Sequence, residues 1–115
     1  MCGAKFAQVC DDFLQYGKVI KNYQPATITG YRVTFNLFQE MTGIETLGVL
    51  SQEMIERFLY DGRLNRNWSA CTFRSYLKQL RAFCNWCVKR KLIPENYTND
   101  IDKPPLERRL LSVIK

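Results

Sequence analysis

Apolar residues recur at steps of three and four along four stretches of this chain, and strand-like alternation is nowhere convincing. That period commits the backbone to amphipathic helices. The first stretch runs from about Lys5 to Ile20, with Phe6, Val9, Cys10, Phe13 and Leu14 on one side and Gly17 near its end. The second opens at Pro25, whose missing N–H is harmless in a first helical turn, carries Ile28, Tyr31, Phe35, Phe38 and Met41, and stops at Gly43. Ser51 offers an N-cap to a third helix through about Tyr60, with Met54, Ile55, Phe58 and Leu59 as its apolar side and Asp61-Gly62 as its expected end. Glu53 and Glu56 lie near its positive pole. Ser69 caps a fourth, long helix to about Lys91, beyond which Leu92, Ile93 and Pro94 break the pattern. The second and fourth helices share a Thr-x-x-x-Tyr opening, Thr27 to Tyr31 and Thr72 to Tyr76, which hints at two similar hairpins. The expected fold is all-α, with four to five helices.

At 115 residues the chain is one domain's worth, too short for a multidomain enzyme and long enough for a hydrophobic core without disulfides or metal. It contains no histidine, which removes every mechanism that needs imidazole as base, shuttle or ligand. Five cysteines, Cys2, Cys10, Cys71, Cys84 and Cys87, follow no secretory signal, so a reducing, cytoplasmic setting is expected, with the thiols packing as small apolar groups. Cys84-Asn85-Trp86-Cys87 is a C-x-x-C, but it falls on the apolar side of a helix and lacks the second paired spacing of a structural zinc site. No cofactor is expected. The longest apolar runs, such as Leu47 to Leu50, are far short of the roughly 20 residues that cross a bilayer.

Charge is unevenly placed. The net +6 conceals a first segment, residues 1–61, with five basic and seven acidic side chains. Residues 62–94 carry Arg63, Arg66, Arg74, Lys78, Arg81, Lys89, Arg90 and Lys91 and no acid, and residues 95–115 balance at four against four. Within the fourth helix Phe73, Leu77, Leu80, Cys84 and Cys87 form the packing side. Next to it Arg74, Lys78, Arg81, Asn85 and Lys89 fall within a sector of about 80° at 100° per residue. A solvated helix face usually intersperses Glu with Lys, because pairs four apart stabilise and like charges at that spacing repel. Arg74 and Lys78 accept the repulsion, which points to a polyanionic ligand. At the helix's start Asn67, Trp68, Ser69 and Thr72 sit where unpaired N–H groups attract a phosphate, with Arg66 just upstream; Ser69 and Thr72 serve equally well as caps, and both roles are compatible. Thr29, Arg32 and Asn36 give the second helix a weaker polar face. Trp86 lies outside both the apolar stripe and the cationic ridge, placed to cover the first helix or to meet another protomer.

The order of these features is that of a known family. Pro25-Ala26-Thr27-Ile28-Thr29-Gly30-Tyr31, Phe35-Asn36-Leu37-Phe38, the helix from Ser51, Trp68-Ser69-Ala70-Cys71-Thr72, the run from Tyr76 to Val88 and Ile93-Pro94-Glu95-Asn96 together resemble the N-terminal core-binding, SAM-like domain of tyrosine recombinases, the phage-type integrases. Tyr97 stands where that family commonly has proline. The resemblance implies a small orthogonal helical bundle over residues 1–94 and a linker, 95–115, towards a catalytic domain absent from this chain. It implies a DNA-binding half-clamp around duplex DNA with the second and fourth helices facing the major groove, acting during DNA integration and recombination. The expected partners are double-stranded DNA, the C-terminal catalytic domain of the same polypeptide and other recombinase protomers, with no membrane. By position the resemblance makes Thr27, Thr29, Arg32, Thr72, Arg74, Lys78, Arg81 and Lys89 the expected DNA contacts, and the charge pattern and helix face add Arg66 and Asn85. The family's catalytic constellation needs residues this chain lacks, so no catalytic residue is assigned here. The alternative reading is a helical interaction module that docks an acidic protein.

Overall fold

The computed structural model describes residues 4–102, so Cys2 and the apolar and basic stretch after Lys103 lie outside the described residues. Helix α1 spans Phe6–Val19, α2 Pro25–Thr42, α3 Gln52–Asn65 and α4 Ala70–Lys89, with a 3₁₀ turn at Leu47–Val49 between α2 and α3. Among the described residues the all-α expectation holds, with four helices and one short turn.

Local chemistry sets most boundaries. Pro25 occupies the first turn of α2, and Gly43 closes it in the left-handed conformation at φ 72°, donating its N–H to the Gln39 carbonyl at 2.8 Å. Ser51 and Ser69 cap α3 and α4, their hydroxyl oxygens accepting the N–H of Met54 at 3.2 Å and of Thr72 at 3.1 Å. The start of α1 has no side-chain cap; instead Phe6 donates its N–H to the Glu45 carbonyl, and Leu47 donates to Ala4, each at 2.9 Å. The connection between the two halves thereby supplies a partner that the sequence did not advertise.

The third helix corrects its expected end. It runs through Asp61-Gly62 to Asn65, and Gly62 is buried inside it. The Trp68 ring lies so close over Gly62 that a Cβ there would come within 2.0 Å of it. This glycine is a seat for an aromatic ring. Gly17 does the same for Tyr23, whose ring would lie 2.5 Å from an added Cβ. At both corners the aromatic residue's N–H reaches back to that glycine's carbonyl, at 2.9 Å for Tyr23 and 3.1 Å for Trp68. The residue before it, Asn22 or Asn67, takes φ 57°.

These corners are one design used twice. Thr34 and Gln79, 45 residues apart, are bonded to each other side chain to side chain, and the same interval relates Gly17 to Gly62, Tyr23 to Trp68, Thr27 to Thr72 and Tyr31 to Tyr76. Contacts repeat too: Tyr23–Tyr31 at 5.7 Å matches Trp68–Tyr76 at 4.6 Å, and Phe13–Tyr31 at 5.1 Å matches Phe58–Tyr76 at 5.9 Å. Across the halves, Phe38–Phe58 at 4.9 Å exchanges with Phe13–Phe83 at 5.6 Å. Such reciprocity is what an approximate two-fold axis between the hairpins α1–α2 and α3–α4 produces, with Thr34 and Gln79 beside it. The shared Thr-x-x-x-Tyr openings are thus part of a wider repeat, which at the same interval also pairs Phe13 with Phe58, Leu14 with Leu59, Asn22 with Asn67 and Phe38 with Phe83.

The core forms where the hairpins meet. Phe83 touches Phe6, Phe13 and Phe35 with ring centroids 5.8, 5.6 and 5.0 Å apart, an arrangement that favours edge and tilted contacts over flat stacking. Trp86, ambiguous in sequence, is buried against α1, 5.6 Å from the Phe13 ring and 5.9 Å from Tyr16. Cys10, Cys84 and Cys87 are buried as expected, whereas Cys71 is exposed, because its place in the first turn of α4 falls outside the packing stripe.

Candidate nucleic-acid interface

Helix α4 carries the basic surface on a rigid support. Its Phe73, Leu77, Leu80, Phe83, Cys84 and Cys87 are buried, which fixes its rotation and turns the opposite flank outward. Lys78 and Lys89 are exposed on that flank, Arg74 and Arg81 are half-buried beside them, and all four lie with Asn85 along one line of the helix. The ion pairs among the described residues are Arg57–Glu53 at 2.9 Å and Arg32–Asp11 at 3.6 Å, so Lys78, Arg81 and Lys89 have no acidic partner there.

The C-terminal half of this flank is partly occupied. Residues 95–101, which the sequence marks as the beginning of a linker, are seated on the bundle, with Thr98 and Ile101 buried. The Asn96 amide donates to the Arg81 carbonyl at 3.2 Å and to Asn85 Oδ1 at 2.6 Å, while its oxygen accepts from the Thr98 N–H at 2.9 Å and hydroxyl at 2.6 Å. Asn85 therefore has a structural bond that its place on the ridge did not reveal. The only signal was Asn96 itself, an amide just past a helix-breaking proline.

At the other end, Ser69 caps α4 by accepting the Thr72 N–H, and the two residues are also joined hydroxyl to hydroxyl at 3.2 Å. The first turn of α4 holds no acid, so its positive pole is uncompensated. Arg66 is exposed at the corner, while Arg63 donates to the Trp68 carbonyl at 2.9 Å and is committed to the turn.

Helix α2 divides its candidates. Gly30 and Thr34 face Gln79 of α4, and Thr27 shares that side of the helix. Thr29 and Arg32 are exposed but turn away from α4, and Arg32 pairs with Asp11 of α1. The structure thus gathers Arg66, Thr72, Arg74, Lys78, Arg81, Asn85 and Lys89 along α4 and its entry, with Thr27 nearby, and separates Thr29 and Arg32 from them. Ser75, passed over in sequence because an uncharged polar side chain carries no pattern, is exposed between Lys78 and Gln79 around α4.

Among the described residues no cluster of His, Cys, Asp and Glu could hold a metal ion, and no helix is long and apolar enough to cross a membrane. The described residues form an all-α bundle with a cationic flank and no histidine. The N-terminal domain of a phage integrase/site-specific recombinase from Haloarcula marismortui superposes with a TM-score of 0.74, covering 90% of this chain and all of that one at 14% identity. In sequence the chain is similar to the tyrosine recombinase XerC of Yersinia pestis, 25% identical over an alignment of 111 residues that covers 93% of this chain. It spans 36% of that relative's length. No family model matches the chain.

Proposed function

We propose that this chain is the DNA-binding, core-binding domain of a site-specific tyrosine recombinase, holding duplex DNA with α4 in the major groove and the start of α2 alongside. The observation that carries this is the acid-free basic segment, residues 62–94, mounted on a helix whose packing fixes its outward flank. Lys78, Lys89, Arg81 and Arg66 supply phosphate contacts, with Arg74 beside them; the pole of α4 and the Thr27 and Thr72 hydroxyls fix register. Affinity comes mainly from counterion release, so sequence preference by this domain alone is slight. Phosphodiester chemistry belongs to the catalytic domain of the same polypeptide, which other recombinase protomers join in the assembled complex, in the cytoplasm where the DNA lies.

The test is fluorescence anisotropy with a short labelled duplex over a salt series. Log K against log salt should fall with a slope of about −0.9 per phosphate neutralised, and Lys78→Glu with Lys89→Glu should weaken binding by about tenfold or more while the circular dichroism spectrum is unchanged. Equal binding by the double variant would remove α4 from the interface. Absence of any duplex binding by the parent chain would favour an acidic protein as the partner.

A further inference from the structure

The approximate two-fold axis gives α2 and α4 equivalent positions on the face they share, and the chain fills one such pair with unlike chemistry. The helices meet where Thr34 bonds to Gln79, with Gly30 so near that a Cβ on it would lie 3.5 Å from the Gln79 amide nitrogen. On each helix the buried rings, Tyr31, Phe35 and Phe38 on α2 and Phe83 on α4, turn to the core side of this contact. One residue before the contact, a rotation of about 100° the other way, stand Val33 and Lys78. The interval of 45 that relates Thr34 to Gln79 relates this pair too, so the two residues flank the crossing at equal height on one face. Lys78 is exposed and Val33 is 53% exposed. Of the exposed large apolar side chains among the described residues, Val33 is on α2 and none is on α4. No acid lies on α4, or on α2 before Glu40.

What an aliphatic side chain can recognise there follows from the chemistry of the major groove. Phosphates and most of the base edge offer oxygens and nitrogens, which an apolar group can only desolvate, at a cost. The C5-methyl group of thymine is the apolar feature of that surface. Branching at Cβ leaves valine essentially one χ1 rotamer in a helix, so Val33 presents its methyl groups without the ordering entropy that a lysine gives up.

We propose that Val33 is a specificity-determining residue that packs on the C5-methyl group of a pyrimidine, thymine in unmodified DNA, while its two-fold counterpart Lys78 supplies affinity blind to sequence. This rests on the DNA reading above and adds base selection to it. The repeat has divided the work: charge went to α4 and the apolar contact to α2. The preference is small, about two- to fivefold, the scale of burying a single methyl group.

Fluorescence anisotropy of the 115-residue chain tests it, with an A·T-rich duplex and a copy carrying deoxyuridine at every thymine, which lacks only those methyl groups. The parent should bind the thymine duplex about two- to fivefold tighter. Val33→Ser, a change at an exposed position checked for native circular dichroism, should make the two duplexes equal. Lys78→Gln should weaken binding to both alike and keep their ratio. A G·C-rich duplex with 5-methylcytosine should gain over plain cytosine by a similar factor, because the methyl group projects at the same place, and Val33→Ser should abolish that gain as well. Equal binding of the two A·T-rich duplexes by the parent would overturn the proposal and leave the DNA reading intact. So would a preference that survives Val33→Ser or disappears in Lys78→Gln. A thymine preference with no gain from 5-methylcytosine would assign the selection to other features of the A·T pair and overturn it too. Absence of any duplex binding would remove the DNA reading and this inference together.

Discussion

At Cys84 the sulfur lies fully buried on the packing side of α4, and burial pushes the thiol up to about 12 against an ordinary value of 9.0, a backbone hydrogen bond from Tyr97 opposing only part of the rise. Burial also drives the Cys10 thiol upward and, with Tyr23 beside it, lifts the Tyr31 phenol to about 12 from 10.0. These groups keep their protons in the folded chain and lose them once unfolded, so above their ordinary values the unfolded state binds fewer protons. Stability should therefore be flat below about pH 9 and fall towards pH 12, by up to 1.4 kcal/mol per pH unit for each such group. Urea denaturation at a series of alkaline pH values under reducing conditions measures this; a flat profile to pH 11 would contradict the burial. In sequence the cysteine spacing revealed that Cys84 and Cys87 join the core. It did not reveal that Cys71, two residues past the capping serine, stays exposed.

Among the elements, the corner after α3 makes the sharpest demand. Gly→Ala inside a helix ordinarily stabilises by about 0.5–1 kcal/mol, because glycine surrenders more backbone freedom on folding. At Gly62 the sign should reverse: the new methyl meets the Trp68 indole, itself held against Phe58 at 5.3 Å and Tyr76 at 4.6 Å. A loss of about 1–3 kcal/mol is expected for Gly62→Ala, the usual range for overpacking, read from the urea midpoint. Asp61-Gly62 resembles a helix stop because local signals cannot report a ring arriving from beyond the next turn. Helix α2 was legible at both ends for the opposite reason, since Pro25 and Gly43 act through their own backbones. Helix α4 ends without such a signal: Lys91 takes φ 62°, and the N–H groups of Lys91 and Leu92 close on the carbonyls of Val88 and Cys87 at 2.9 and 2.8 Å. That is glycine's usual closure made with a lysine.

For the molecule as a whole, net charge of +6 gathered mainly on one flank costs stability through self-repulsion. Raising sodium chloride from low to physiological strength should raise the melting temperature by a few degrees, each kcal/mol of relief being worth about 4–8 °C in a chain of this size. Sodium sulfate at equal ionic strength should raise it further, through stronger burial of apolar surface. A melting temperature that falls with sodium chloride would mean that attractive pairs dominate. The basic flank was legible because it needs only helical periodicity and a count of acids. The two-fold arrangement was legible only in part: Thr-x-x-x-Tyr caught two of the identities at an interval of 45, Phe13 with Phe58 and Phe38 with Phe83 being others, while Trp86 and Met41, unlike in kind, correspond only once the hairpins are laid against each other. The Asn96 hub adds a mechanical consequence. It rivets residues 96–101 across Arg81 and Asn85 and so fixes that segment relative to α4. A single amide thus holds the segment through Ile101 against the same helix that carries the basic flank.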